Sequence, residues 1–186
     1  MSAKLHFRYG SMNVGKSTQL LQIAYNYKEV GRKAAIYTAG IDDRYGKGFV
    51  TSRLGASAPA FLFDAETDFQ NEVKSLAGYC CLLIDEAQFL TPQQVRQLHR
   101  VVHVHNLPVI CFGLRTDFLG EPFPGSIYLL ALAEDLHEMK AVCACGSKST
   151  MNARFDVAGT RVIDGPQILI GGHDSYKQVC ARCFYG

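Results

Sequence analysis

Gly10, Ser11, Met12, Asn13, Val14, Gly15, Lys16 and Ser17 follow one another in the pattern G-x-x-x-x-G-K-[ST]. This is the pattern of a phosphate-binding loop, and each part has a chemical reason. Gly10 and Gly15 allow the tight turn that points successive backbone N–H groups at a phosphate chain. Lys16 supplies a point charge to the outer phosphates, and the Ser17 hydroxyl suits Mg²⁺. A helix starting here adds its positive end to the same anion. The flanks agree. Leu5, Phe7 and Tyr9 alternate with polar residues as in a strand, and Leu20, Leu21, Ile23, Ala24 and Tyr27 recur at helical spacing between Ser17 and Val30.

Working outward, the pattern predicts a second strand over Lys33–Thr38, entered through a helix stop at Gly31. Gly40–Pro59 is rich in Gly, Ser and Ala and is expected to be a loop over the nucleotide site. A short strand over Ala60–Phe63 and a helix carrying Phe69, Val73 and Leu76 follow. Tyr79–Ile84 is a continuous apolar run, the signature of a central strand covered on both faces. Thr91 and Pro92 are an N-cap and a first helical position, and Val95, Leu98, Val101 and Val102 carry that helix to about Asn106. Val109–Phe112 reads as a buried strand, Ser126–Ala133 as a short helix and His137–Val142 as a last strand. The alternation predicts an α/β fold with a mostly parallel sheet and helices on both faces.

The apolar run ends in Asp85 and Glu86, the Walker B pattern. In a parallel sheet its carboxyl end shares an edge with the phosphate loop, so Asp85 is expected to reach Mg²⁺ or one of its waters. Glu86 turns the other way and suits a proton acceptor for an acceptor hydroxyl. The run Asp85-Glu86-Ala87-Gln88 is shared with DEAD-box-like helicases, in which the Glu activates water. The alternative it offers is a nucleic-acid-dependent P-loop ATPase with a zinc ribbon. Such a helicase needs two tandem ATPase domains, and no basic stripe marks a nucleic-acid track here.

The whole chain sets bounds on these readings. It has 186 residues, 48% hydrophobic and 19% charged, which suits one full domain with a small appendage and a sizeable core. A net charge of +2 does not argue for nucleic acid or a membrane surface. With neither a bilayer-length apolar run nor a signal-peptide start, a soluble cytoplasmic protein is expected. Seven cysteines, an odd number, make a poor disulfide framework and turn attention to metal.

Cys143 and Cys145, with Cys180 and Cys183, make a four-thiolate set suited to a closed, structural Zn²⁺ site. The first pair is C-x-C rather than the usual C-x-x-C. Cys80, Cys81 and Cys111 fall in expected buried strands and read as inert core residues. His99 and His103 stand four apart on one helix face. With no acidic or thiolate neighbour in the sequence, they read as a solvated face.

The ordered set of motifs resembles the thymidine kinases of the cellular and bacterial type (type II). It comprises the loop at 10–18, Ile-Asp-Asp-Arg-Tyr-Gly at 41–46, Asp-Glu-Ala-Gln-Phe at 85–89 and Gly-Leu-Arg-Thr-Asp-Phe at 113–118. Ile-Gly-Gly at 170–172, Tyr176 and Val-Cys-Ala-Arg-Cys at 179–183 complete it, so the likeness runs along essentially the whole chain. The resemblance implies a RecA-like P-loop domain over Met1–Val142 and a zinc-binding lasso domain over Cys143–Gly186. It implies ATP-dependent phosphorylation of the 5′-hydroxyl of thymidine, with Glu86 as proton acceptor. ATP and Mg²⁺ would be held by Gly10–Ser17 and the run from Asp85 through Ala87 to Gln88. Lasso main chain over Gln167, Ile168, Leu169, Ile170 and Gly171 would read the thymine edge. Phe89, Phe118 and Tyr176 would pack around the nucleoside, with Met12 and Leu114 near the 5-methyl group. A homotetramer inhibited by thymidine triphosphate is implied as well.

Overall fold

The computed structural model of the protein describes residues 2–41, 48–167 and 176–186. The chain alternates β1 (Leu5–Tyr9), α1 (Lys16–Glu29), β2 (Lys33–Ala39), the short strands β3 (Phe49–Thr51), β4 (Ser57–Pro59) and β5 (Phe61–Phe63), then α2 (Phe69–Ser75). It continues through β6 (Tyr79–Ile84), α3 (Pro92–His105), β7 (Val109–Gly113), α4 (Pro124–Leu132) and β8 (Asp135–Glu138). Among the described residues, six strands form one sheet in the order β5-β2-β6-β7-β1-β8, and every pairing in it is parallel. The expected α/β core with a parallel sheet is therefore present.

Both faces of the sheet are covered, which explains why β6 reads as an unbroken apolar run. Leu82 and Ile84 point into a core shared with Phe69, Val95, Leu98 and Leu129 from α2, α3 and α4. Cys81 and Leu83 point the other way, against Leu20 and Leu21 of α1 and Val50 of β3. Helix α3 begins with a capping box: Thr91 Oγ1 accepts from the Gln94 N–H at 3.1 Å, and Gln94 Oε1 accepts from the Thr91 N–H at 2.9 Å. Gln94 then spends its amide N–H on the Asp64 and Thr67 carbonyls, tying α3 to the start of α2.

The described residues that follow form two small antiparallel sheets, β9 (Ala141–Val142) with β10 (Lys148–Ser149), and β11 (Met151–Phe155) between β12 (Arg161–Val162) and β13 (Tyr176–Val179). Helix α5 (Ala181–Tyr185) closes the chain, with Phe184 buried against Cys143, Ala153 and Val179.

Three local expectations are corrected. The Gly40–Pro59 segment is not all loop, because β3 and β4 pair as a hairpin whose turn closes through Ser52, Gly55 and Ala56. Residues 42–47 lie outside the described residues. The single last strand over His137–Val142 is two strands: β8 pairs with β1, whereas β9 pairs with β10. His99 and His103 do have an acidic partner. Glu134, which enters β8, lies against both.

Candidate active site

The phosphate loop leaves β1 and enters α1 with two residues in the left-handed region, Asn13 at φ 64° and Gly15 at φ 90°. A side chain at Gly10 is excluded by packing, since a Cβ there would lie 2.7 Å from the Met139 carbonyl oxygen. The start of α1 carries no side-chain cap and no acidic residue in its first turn. Its N–H groups and partial positive charge are thus kept for an anion. Lys16 Nζ donates to the Ser11 carbonyl at 2.8 Å, which folds the lysine back over the loop.

The two halves of the nucleotide motif meet where the parallel sheet places them. Ser17 Oγ donates to Asp85 Oδ2 at 2.9 Å. Neighbouring oxygens of an octahedral Mg²⁺ shell at 2.0–2.1 Å are about 2.9 Å apart, so this pair fits one edge of such a shell. Asp85 is only 5% exposed. Burial, and then the adjacent Glu86 charge, push its carboxyl up to about 7, while the Ser17 hydrogen bond and Lys16 act in the opposite sense. A buried carboxylate held back from ionisation is a group that a divalent cation would satisfy.

Glu86 follows β6 with φ 52°, a left-handed conformation rare for a residue with a side chain. It opens a 3₁₀ turn over Ala87–Phe89. Gln88, 3% exposed, spans the gap to the next strand: its Nε2 donates to Glu86 Oε2 at 2.5 Å and its Oε1 accepts from the Leu114 N–H at 3.1 Å. This approach requires Gly113, where a Cβ would lie 2.9 Å from Gln88 Oε1. Ala87 packs into the core on the α3 and α4 side. Gln88, expected at the nucleotide, lines the same cleft as the phosphate loop and also bridges Glu86 to the Leu114 N–H.

A cleft of about 720 Å³ joins these groups to an aromatic region. Met12 through Ser17, Glu86 and Gln88 line it together with Phe89, Leu114, Phe118, Phe123, Asn152, Gln167 and Tyr176. The hairpin contributes Thr51, Ser52, Arg53 and Leu54. Phe89 meets Phe123 edge to face at 5.9 Å between ring centroids, and Phe118 meets Tyr176 edge to face at 6.4 Å. Phe118 is nearly covered, because the Arg154 guanidinium lies 3.9 Å from its ring centroid. Ile168, Leu169, Ile170 and Gly171 lie outside the described residues.

Asn152 and Arg154 are among the residues of this region that the sequence did not single out. Asn152 Oδ1 accepts from the Met12 N–H at 2.7 Å, and its Nδ2 donates to the Thr116 carbonyl at 3.4 Å. Arg154, besides covering Phe118, donates to the Pro166 and Asp164 carbonyls and so fixes the chain just before Gln167. Both stand on one face of β11, and their i, i+2 spacing was the available signal.

The four cysteines Cys143, Cys145, Cys180 and Cys183 converge, with all Sγ atoms within 4.8 Å of one another. Cys145 and Cys180 sulfurs are 3.6 Å apart, against about 3.8 Å for two thiolates of a tetrahedral Zn²⁺ site at 2.3 Å. All four are free of disulfides. The Ser147 hydroxyl and N–H lower the Cys145 thiol, whereas the neighbouring Cys145, Cys180 and Cys143 raise that of Cys183, as expected of thiols packed this closely. The C-x-C pair does not prevent convergence: Gly146, at φ 88°, turns the chain so that its N–H reaches the Cys143 carbonyl at 2.8 Å. The donor set fits a closed structural zinc.

Comparison with known proteins agrees with this geometry. The family model for thymidine kinase matches residues 3–184. The chain is 56% identical to a thymidine kinase of Chromobacterium violaceum over 98% of each chain. It is 52% identical to one of Albidiferax ferrireducens, covering 98% of this chain and 92% of the relative. With one of Aliivibrio fischeri it shares 51% identity, over 97% and 95% respectively. The chain belongs to the thymidine kinase family.

Proposed function

We propose that this protein transfers the γ-phosphate of ATP to the 5′-hydroxyl of thymidine, giving thymidine monophosphate and ADP. The observation that carries the reading is the shared cleft: the phosphate loop, Glu86 and the aromatic residues Phe89, Phe118 and Tyr176 all line it. A nucleoside ring system and a triphosphate tail can therefore meet at one carboxylate.

The phosphate chain lies on the Gly10–Ser17 N–H groups and the start of α1, with Lys16 countering charge on the outer oxygens. Ser17 and Asp85 would hold Mg²⁺, which, when bound, neutralises charge developing between the β- and γ-phosphates. The thymidine 5′-oxygen forms the new bond to the γ-phosphorus, and the bond from that phosphorus to the bridging oxygen of ADP breaks. Glu86 takes the hydroxyl proton, held in place by Gln88. Positioning contributes most, because the transition state of phosphoryl transfer is loose.

Main chain over Gln167–Gly171 reads the thymine edge on this account, and the zinc site secures the two ends of that segment. Cytosine would leave buried backbone groups unpaired and is disfavoured. A homotetramer, inhibition by thymidine triphosphate and a cytoplasmic location accompany the reading on family resemblance. The test is product analysis with ATP, Mg²⁺ and thymidine alone. Equimolar ADP and thymidine monophosphate are expected without nucleic acid. ADP release that depends on added DNA or RNA, with no phosphorylated nucleoside, would overturn the proposal.

A further inference from the structure

At the amino end of β1, away from the end that leads into the phosphate loop, His99 and His103 of α3 face Glu134, the residue that leads into β8. Their Nε2 atoms lie 3.1 and 2.7 Å from the same carboxylate oxygen, Glu134 Oε1. The three donor atoms are all within 4.8 Å of one another. The second oxygen, Oε2, accepts from the Leu5 N–H at 2.6 Å, and the Glu134 N–H donates to the Leu5 carbonyl at 3.0 Å. The carboxylate is thus held on β1 by its own chain and side chain before any ligand arrives. The two rings lie 4.7 Å apart between centroids and 75° from coplanar, with both Nε2 atoms against the same carboxylate oxygen.

We infer that His99, His103 and Glu134 form a second metal site, separate from the four cysteines, that binds Zn²⁺ or a similar divalent transition ion. Two imidazoles and one carboxylate suit Zn²⁺, Ni²⁺, Co²⁺ or Cu²⁺ and disfavour Mg²⁺ or Ca²⁺, which prefer all-oxygen shells. Adjacent donors about 2.0–2.1 Å from one ion lie roughly 2.9–3.4 Å apart in octahedral or tetrahedral geometry. The 3.1 Å separation already falls in that range, and the 2.7 Å one needs a shift of only a few tenths of an ångström. Histidines at i and i+4 present both rings on one side of a helix turn. The side chains are between 30% and 48% exposed, so an ion can enter and water can complete the shell. Each ring binds through Nε2 as the Nδ1–H tautomer, its Nε2 proton passing to Nδ1 or to solvent. A bound ion would clamp α3 to the β1–β8 edge and stabilise the fold by linkage.

The test uses the full chain with its cysteine site loaded with zinc, verified by elemental analysis. Zinc chloride is then titrated calorimetrically into the wild type, H99A and H103A. The expected result is one further equivalent in the wild type, bound at least about tenfold more weakly in either variant. Thermal melts should show a Zn²⁺-dependent rise in Tm for the wild type and a smaller one for the variants. Co²⁺ added to the same zinc-loaded protein should give weak visible bands without a thiolate charge-transfer band. No further equivalent up to millimolar Zn²⁺, equal affinity in both variants, or a thiolate band on adding Co²⁺ would each overturn the inference. H99Q and H103Q, which keep side-chain bulk and the helix face, serve in place of any alanine variant that melts early.

Discussion

Gln88 Nε2 donates to Glu86 Oε2 at 2.5 Å while Gln88 Oε1 accepts from the Leu114 N–H, so one buried amide ties the carboxylate of the β6 end to the chain leaving β7. Glu86 sits in a left-handed conformation with its charge directed into the cleft, and the amide fixes one of its two oxygens. Gln88→Ala should therefore lower kcat by roughly ten- to a hundredfold with a smaller change in KM, since a displaced base costs orientation rather than binding. Steady-state kinetics with varied thymidine decides it. An unchanged kcat would show that Glu86 needs no such support.

Gly125, in the first turn of α4, carries a packing constraint invisible to composition. A Cβ there would lie 2.4 Å from the Leu90 carbonyl oxygen and about as close as 3.0 Å to that of Gln88. Backbone cannot yield as a flexible side chain can, so Gly125→Ala should destabilise the fold by about 1–3 kcal/mol and displace the turn holding Glu86. Thermal or denaturant melts measure the first effect, and kcat the second. A variant as stable and as active as the wild type would contradict this packing.

The cysteine site is expected to carry about one zinc per chain. Cys183→Ser should lose that zinc and raise KM for thymidine more than KM for ATP, because Tyr176, Asn152 and Arg154 are placed by the strands that the site secures. Some effect on ATP is expected too, as Asn152 accepts from the Met12 N–H and Ser149 Oγ donates to Ser11 Oγ at 3.2 Å. Elemental analysis and the two KM values form the check. A zinc-free wild type with full activity would remove the site from the account.

Burial raises the Cys81 thiol to about 12, and Cys111 is raised by the same cause. At pH 8 the thiolate fraction of Cys81 is then about one in ten thousand. Iodoacetamide should leave both residues unmodified in the native protein and alkylate both after unfolding, as read by peptide mass spectrometry. Native alkylation of Cys81 at pH 8 would contradict its buried placement between the sheet and α1.

Much of this was legible because its signals are local. The phosphate loop declares itself through glycine spacing and a strand and helix on either side, and β6 through an apolar run ending in Asp85. Helix α3 carries its own start signal in Thr91, Pro92 and Gln94. The β3–β4 hairpin was hidden because its strands are three residues each, too short to show alternation, and lie in a Gly- and Ser-rich stretch. Cys80, expected in the core, is only partly buried at the start of β6.

What the sequence could not show were pairings between distant residues. Asn152 meets Met12, and Glu134 meets His99 and His103; spacing places Asn152 with Arg154 and the two histidines on one face each, but does not name the distant partner. Asn152 stands on a strand of the small antiparallel sheet and Glu134 at the entry to β8, so each contact exists only once the packing of those elements against the rest of the fold is known. Gln88 continues the Asp85-Glu86 motif, which is the sequence signal for placing it at the nucleotide. Its buried bridge to the Leu114 N–H is a separate feature with no local signal, since it depends on the glycine at 113 that lets the two segments approach.

The central claim is that Glu86 accepts the proton of the thymidine 5′-hydroxyl during phosphoryl transfer. The most direct measurement is kcat of Glu86→Gln with saturating ATP, Mg²⁺ and thymidine, alongside ATP affinity by calorimetry. The amide keeps the size of the side chain but cannot take the proton. The account predicts kcat lowered by about a hundred- to ten-thousandfold with ATP affinity nearly unchanged. A Glu86→Gln enzyme that turns over at close to the wild-type rate would contradict it.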